Sequence, residues 1–296
     1  MATLATPDDY YDHTPEPGHA PGDIWCGMPS YGALKQEHVA GIVITPACDL
    51  QNAKSETITY LPVLPFAAWF ATFSILTEIR GTTQSAWGSL QTQHHLDPTF
   101  KLPRLPSAAD LAELRKRLEE TGGADKSPLR PRILGGIAAM GAIIDPNGIA
   151  ADFDALATLF GEKEFIQRCE KLVTNSSRTD THFLPARGKW ALADDSFAGH
   201  SLALFRYPLT APMDILELAG NPSSDWIAAI AEYASLPAAR FFSLRKPVRV
   251  ARLRPTFLVD LLSRYTALYA RVGSPDFPTP VVSFIASEIR GRKGTS

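Results

Sequence analysis

The densest group of reactive side chains in the chain is Cys48, Asp49 and Lys54, which fall within seven residues. A nearby ammonium group lowers the pKa of a thiol, and the thiolate is the nucleophile, so this loop could serve a covalent mechanism. Such a mechanism needs a base, and His38 or His182 could supply it if the fold brings either one close. The alternative is structural: Cys48 is buried at the end of a strand, while Asp49 caps the loop and pairs with Lys54.

A second group of side chains is basic and lies towards the C-terminal end of the chain. Its members, which we predict as binding residues, are Arg245, Lys246, Arg249, Arg252 and Arg254. A basic set of this kind can bind phosphate groups, and with exposed aromatic rings it can bind RNA or DNA. In a regular strand Arg249 faces away from Arg252 and Arg254, unless a bulge near Ala251 resets the alternation.

The charge of the chain is uneven along its length, although the formal total is only -2 over 296 residues. Residues 1–60 hold eight acidic and two basic side chains, whereas residues 236–296 hold eleven basic and three acidic ones. The total argues against a protein dedicated throughout to nucleic acid. The two ends either attract each other or form solvated faces, or the basic end binds a phosphate-rich partner.

The three cysteines, Cys26, Cys48 and Cys169, are an odd number without CxxC spacing, which favours a reducing compartment over a disulfide framework. Cys26, Cys48, His94 and His95 lack the spacing of a metal site, and no cofactor motif is present. The longest apolar runs are interrupted by proline or glycine and fall short of the roughly 20 residues of a membrane span. We therefore predict a cytoplasmic protein without metal, cofactor or membrane segment.

The elements that position these groups begin with residues 39–65, where two apolar strands flank the polar loop that contains Cys48. Residues 66–180 are mainly helical in pattern, and Ser107 is typical of a helix N-cap. Strand patterns return from residue 181, and an amphipathic helix follows Pro255. We predict a flexible tail over residues 1–21, a core of residues 22–65 and 181–272, a helical insertion over residues 66–180 and a C-terminal segment over residues 273–296.

Part of the chain resembles the small SH3-like barrel of the PemK/MazF toxins. In that family Gly-Asp-Ile opens the first strand, and Gly22-Asp23-Ile24 matches it; Gly41 to Thr45 and Tyr60 to Val63 lie where the next two strands would be. The resemblance covers about 100 residues. The family's ribonucleases use an arginine before the second strand and a serine or threonine at the end of the third. Val39 and Leu64-Pro65 occupy those positions here and cannot perform that chemistry.

The resemblance implies an α+β fold in which N- and C-terminal strands form an SH3-like β-barrel, interrupted by the helical insertion and followed by a C-terminal helix. The catalytic residues of the family are missing, and the charged helix predicted over Ser107 to Thr121 and the opposite charges of the two ends favour a partner. We therefore expect a non-catalytic binding or adaptor subunit of a bacterial multi-component assembly. Its partner would be another protein or a second copy of the chain. Two alternatives stay open: an RNA-directed toxin or phage-defence protein, and a Cys48-dependent enzyme.

Overall fold

The computed structural model describes residues 7–51, 55–148, 150–176, 179–190, 197, 199–221 and 225–270. Its centre is one antiparallel sheet of eight strands. The strands are β1 (Tyr11–Asp12), β2 (Asp23–Pro29), β3 (His38–Val43), β4 (Thr57–Pro65), β5 (Thr181–Leu184), β6 (Ser201–Leu204), β7 (Leu209–Pro212) and β8 (Val248–Leu253). Along the sheet the order is β1, β8, β2, β3, β4, β6, β5, and β7 also pairs with β4.

The predicted SH3-like barrel is wrong, although the α+β class is correct. The sheet is open: within the described residues β1 pairs only with β8, and β5 pairs only with β6. The three strands that carry the resemblance are nevertheless consecutive neighbours, β2 beside β3 and β3 beside β4. The local order of strands therefore resembles the toxin barrel, whereas the sheet as a whole does not close.

The way the two edges of β4 pair accounts for the open form of the sheet. One of its edges pairs with β3, and its other edge pairs first with β7 through residues 57–60 and then with β6 through residues 63–65. Pro62 lies in the two-residue gap between these pairings. A proline has no N–H to donate to a ladder, so its place at the change of partner leaves no donor unpaired.

Eleven α-helices surround the sheet in the described part of the chain. They are α1 (Pro7–Tyr10), α2 (Ala47–Gln51), α3 (Phe66–Trp69), α4 (Phe73–Gln93), α5 (Ala108–Glu120), α6 (Leu129–Ile144), α7 (Phe153–Phe160), α8 (Glu162–Val173), α9 (Met213–Gly220), α10 (Trp226–Ala231) and α11 (Pro255–Ala270). Three short 3₁₀ turns, Ala124–Lys126, Gly188–Trp190 and Pro237–Phe241, complete the elements. The described residues between β4 and β5 form helices and no strand.

Side chains alternate along each strand, so each strand contributes to both faces of the sheet, and helices cover both faces. Leu202 and Leu204 of β6 pack with the core of helices α3 to α8. Ala203 and Phe205 belong to the opposite face, which α11 covers with an apolar stripe that includes Leu258. Helices α9 and α10 contribute to a third apolar cluster, which includes residues of β2, β3, β4 and β7. No described helix is long and apolar enough to cross a membrane.

Two helix boundaries follow directly from local sequence signals. Ser107 caps α5: its hydroxyl accepts the N–H of Asp110, whose carboxylate accepts the N–H of Ser107 in a capping box. Pro255 is the first residue of α11, as predicted. The apolar side of α11 buries Leu261 against the sheet.

The segment predicted as a flexible tail is described from residue 7. It forms α1 and then β1, where Tyr11 is fully buried and pairs with Leu253 of β8. The N- and C-terminal strands therefore share one sheet. The predicted C-terminal segment, residues 273–296, lies outside the described residues.

Candidate functional site

The buried carboxylate of Asp23 joins the acidic and basic ends of the chain. Its Oδ1 accepts a hydrogen bond from Nε of Arg252 at 2.6 Å, and its Oδ2 lies 3.4 Å from Arg249. The same Oδ2 accepts the N–H of Ala20 at 2.9 Å, and both arginines donate to the carbonyl of Gly18. Asp23 has no exposed surface, while each arginine side chain is 21% exposed. We name this group of five residues the Asp23 clamp.

A bulge in β8 brings both arginines to Asp23. The register against β2 shifts between Ala251 and Arg249, so Val250 is an extra residue in β8. In a regular strand Arg249 and Arg252 would point to opposite faces; the bulge resets the alternation and lets both reach one carboxylate. This is the geometry that the sequence analysis left open.

The other three predicted binding residues also have partners within the chain. Arg254 donates to main-chain carbonyls of α1 and β1. Lys246 donates from Nζ to the carbonyl of Asn221 at 2.9 Å, and the aliphatic part of Arg245 lies beside Gly27. Arg249, Arg252 and Arg254 therefore hold the N-terminal segment against the sheet. A role of the basic set in binding another molecule stays a prediction.

The Cys48 loop forms the short helix α2 after β3. Cys48 is exposed, not buried as the structural alternative predicts, and its Sγ lies 3.5 Å from Oδ1 of Asp49. Lys54 lies outside the described residues. Of the two candidate bases, His38 shares a hydrogen bond with the carbonyl of Phe241, and His182 contacts α1 and α11.

Exposure alone makes Cys48 the fastest cysteine to be alkylated, because Cys26 is buried and Cys169 is half-buried. Fast labelling of Cys48 would therefore not distinguish an activated thiol from an exposed one. Among the residues that the structure describes, no group of three or more histidine, cysteine or acidic side chains converges on one point.

His182 is buried where α1, β5 and α11 meet. Its Nε2 lies 3.0 Å from the hydroxyl of Tyr10, and its Nδ1 lies 3.8 Å from Oδ2 of Asp260. Burial lowers the pKa of His182 to about 4, and the nearby Asp260 carboxylate opposes that shift only in part. Burial also raises the pKa of Tyr10. A neutral imidazole and a neutral phenol at ordinary pH suit a structural network that fastens the N-terminal helix.

This burial predicts a pH-dependent stability. Between pH 6.5, the ordinary pKa of histidine, and pH 4 the unfolded chain binds a proton on His182 that the folded chain does not. The stabilisation that comes from keeping His182 neutral is fully present above pH 6.5 and is lost as the pH falls towards 4. Acidification from pH 7 to pH 5 should therefore lower the free energy of unfolding by about 2 kcal/mol through this residue. His182→Gln should remove that part of the pH dependence in urea unfolding. His95→Asn, at an exposed histidine, should follow the wild type; equal slopes for all three proteins would contradict the assignment.

A concavity with a largely apolar lining lies between α8 and β5. We name it the α8 groove; its volume is about 540 Å³. It is lined by Phe66, Phe165, Ile166, Cys169, Glu170, Val173, Thr174, Phe183 and His200. Glu170 is the one acidic side chain of this lining, and the lining contains no lysine or arginine. The groove is therefore an apolar surface with almost no polar partners to offer.

Helical spacing places one wall of the α8 groove. Ile166, Cys169 and Val173 recur at intervals of three and four residues and form a stripe on the outer side of α8. Ile166 is 50% exposed and Val173 is 43% exposed. Burial raises the pKa of the Cys169 thiol, which is half-buried in this stripe. The sequence analysis did not single out this stripe, although its period was readable.

Aromatic rings form the opposite wall. Phe183 of β5 stacks on His200 with ring centres 5.5 Å apart and meets Phe66 edge to face at 6.3 Å. The outer edge of β5 is already occupied at this point: Oδ1 of Asn175 accepts the N–H of Phe183, and the Tyr10 hydroxyl donates to its carbonyl. Another strand could not pair here without displacing these contacts.

Comparison of the chain with protein-family models, with curated proteins and with solved structures found no match.

Proposed function

We propose that the protein is a non-catalytic binding or adaptor subunit that takes an amphipathic helix of a partner protein in the α8 groove. The observation that carries the proposal is the exposed stripe of Ile166 and Val173 facing the rings of Phe66 and Phe183. A contiguous exposed apolar surface is a common mark of a protein interaction site. Burial of its side chains by a partner stabilises a complex through the hydrophobic effect.

A helix fits this groove better than an added strand. Strand addition needs free main-chain groups at a sheet edge, and Asn175 and Tyr10 occupy those of Phe183. A helix needs only an apolar channel for side chains at intervals of three and four residues, which matches the spacing of Ile166, Cys169 and Val173. We therefore expect a partner segment whose large apolar residues lie on one helical face.

The two other functions receive less support. Asp23 neutralises part of the charge of Arg249 and Arg252, which reduces the basic surface available to RNA or DNA. Cys48 is exposed, and its Sγ lies beside the carboxylate of Asp49, which is not a base matched to a thiol. The absorbance ratio at 260 and 280 nm of protein purified at low salt tests the nucleic-acid alternative in the same preparation.

The test is co-purification from the native host with single substitutions in the α8 groove. Ile166→Glu or Val173→Glu should each weaken capture of the partner at least about tenfold. The partner's apolar residues would bury the new carboxylate, and removing that charge from water costs free energy. Both positions are substantially exposed, so we expect the variants to fold. Ile227→Glu is the matched control, since Ile227 is 74% exposed on α10.

The captured protein must then bind in purified form, with its segment identified by mass spectrometry. Light scattering of the purified chain shows whether a second copy occupies the groove instead. Equal capture by the wild type and by both groove variants would contradict the proposal, as would equal loss with Ile227→Glu.

A further inference from the structure

A second concavity, which we name the Trp25 cavity, has a volume of about 710 Å³. Residues 17–19, the start of β8 and the end of α9 form its walls. Its apolar lining includes Trp25, Leu216, Ala219, Pro247 and Val248. This volume lies within the range of small-molecule sites, about 300–1,000 Å³.

Two cations line the Trp25 cavity, and both belong to the predicted basic set. Lys246 uses one of its three N–H groups on the carbonyl of Asn221, which leaves the others for a ligand. Arg249 is held by the Asp23 clamp and so has a fixed position. The acidic residue of this lining, Glu217, is exposed at the surface.

Two ring nitrogens in the lining have no hydrogen-bond partner within the described part of the chain. They are Nε1 of Trp25 and Nδ1 of His19. Trp25 is only 3% exposed. The two rings lie 5.7 Å apart. Burial lowers the pKa of His19, so its ring is neutral at neutral pH. Buried polar groups in folded proteins are nearly always paired, so an unpaired indole N–H beside a cavity suggests a ligand that accepts from it.

We infer that the Trp25 cavity binds a small aromatic anion. Its ring packs on the apolar side chains of the lining, and its carboxylate or phosphate group accepts hydrogen bonds from Nε1 of Trp25, from Lys246 and from Arg249. The anionic group pairs with the donors that Lys246 and Arg249 still have free, and the ring covers the apolar lining, which inorganic phosphate would leave uncovered. The Trp25 cavity shares no lining residue with the α8 groove.

Isothermal titration calorimetry with phenyl phosphate and benzoate tests the inference. We expect one site with a Kd below about 1 mM for at least one of these probes. Inorganic phosphate, which lacks the ring, and phenol, which lacks the charge, should bind at least about tenfold more weakly. The better of the two aromatic anions identifies the charged group that the site takes.

Substitutions connect the binding to the cavity. Lys246→Ala should weaken binding about 10- to 100-fold, and Trp25→Phe about 3- to 10-fold, since the first removes a charged donor and the second a neutral one. Lys163→Ala is the control, because Lys163 lies in a separate hollow at the start of α8. Thermal unfolding verifies that each variant is folded. If Trp25→Phe does not fold, the affinity of Lys246→Ala decides the test.

Three results would overturn the inference. The first is no binding of either aromatic anion in the stated range. The second is unchanged affinity in Lys246→Ala. The third is inorganic phosphate binding as tightly as phenyl phosphate, which would show an anion site without the ring specificity that the lining demands.

Discussion

Asp23→Ala is expected to lower the free energy of unfolding by about 3–5 kcal/mol. The substitution leaves Arg249 and Arg252 largely buried without their carboxylate, and it removes the acceptor of the Ala20 N–H. An uncompensated buried charge costs more than the lost contact alone. Urea unfolding measures the change. Hydrogen exchange should also show faster exchange at Ala20, since the Asp23 clamp holds that segment.

Glu113→Ala is the matched control for the clamp. Glu113 also pairs with an arginine, Arg117 at 2.7 Å, but both side chains are more than a third exposed. Exposed pairs of this kind contribute about 0–1 kcal/mol. Adding Arg252→Ala to Asp23→Ala should recover part of the loss, because one unpaired charge is removed. A loss for Asp23→Ala no larger than that of Glu113→Ala would contradict the account of the clamp.

Gly136→Ala is expected to destabilise the fold by about 3 kcal/mol. A methyl group at Gly136 of α6 would overlap the side chain of Thr83 on α4, well inside contact distance of Oγ1. Thr83 is fully buried, and its hydroxyl donates to the carbonyl of Ile79, so it has no free space into which to move. The helices must separate or the threonine must leave its rotamer. Thermal unfolding measures the effect.

Gly141→Ala on the same helix is the control, since a methyl group there meets no atom within 4 Å. Alanine is the better helix former, so this variant should be unchanged or up to about 1 kcal/mol more stable. Thr83→Ala in the Gly136→Ala background should recover part of the stability, because it removes Oγ1 and Cγ2 while Cβ stays 2.9 Å from the new methyl group. Equal stability of the two glycine variants would contradict the close packing of α4 and α6.

The elements that sequence analysis predicted correctly are those with local causes. The capping box at Ser107 lies within four residues, and α11 combines an initial proline with an apolar stripe. Helix α4 continues through a polar stretch to Gln93, because tertiary packing buries Trp87 and Leu90. That packing depends on distant residues and overrides the weak helix propensity of this polar stretch.

The open sheet could not be predicted from the same signals. Strand β1 has two residues, and β7 has four residues with proline at its end, so neither shows an alternating pattern. One edge of β4 pairs with β3, and whether its other edge pairs with one strand or two depends on residues 201–212, about 140 residues later in the chain. Barrel closure is a property of these distant pairings, which a short motif such as Gly22-Asp23-Ile24 does not determine.

The sites divide in the same way. The basic residues were visible as a cluster, but their partner Asp23 was not, because it reaches them through the pairing of β2 with β8 and a bulge at Val250. The stripe of Ile166 and Val173 could have been read from helical spacing. Phe183, which faces it, could not, since β5 lies beside α8 only in the folded protein.

Site-specific photo-cross-linking in the native host tests the α8 groove most directly. A photoreactive phenylalanine analogue in place of Ile166 should form an adduct with one partner protein, mapped to an amphipathic helix, whereas the same group at Ile227 should not. Adducts at neither position, or the same adducts at both, would contradict the proposed role of the groove.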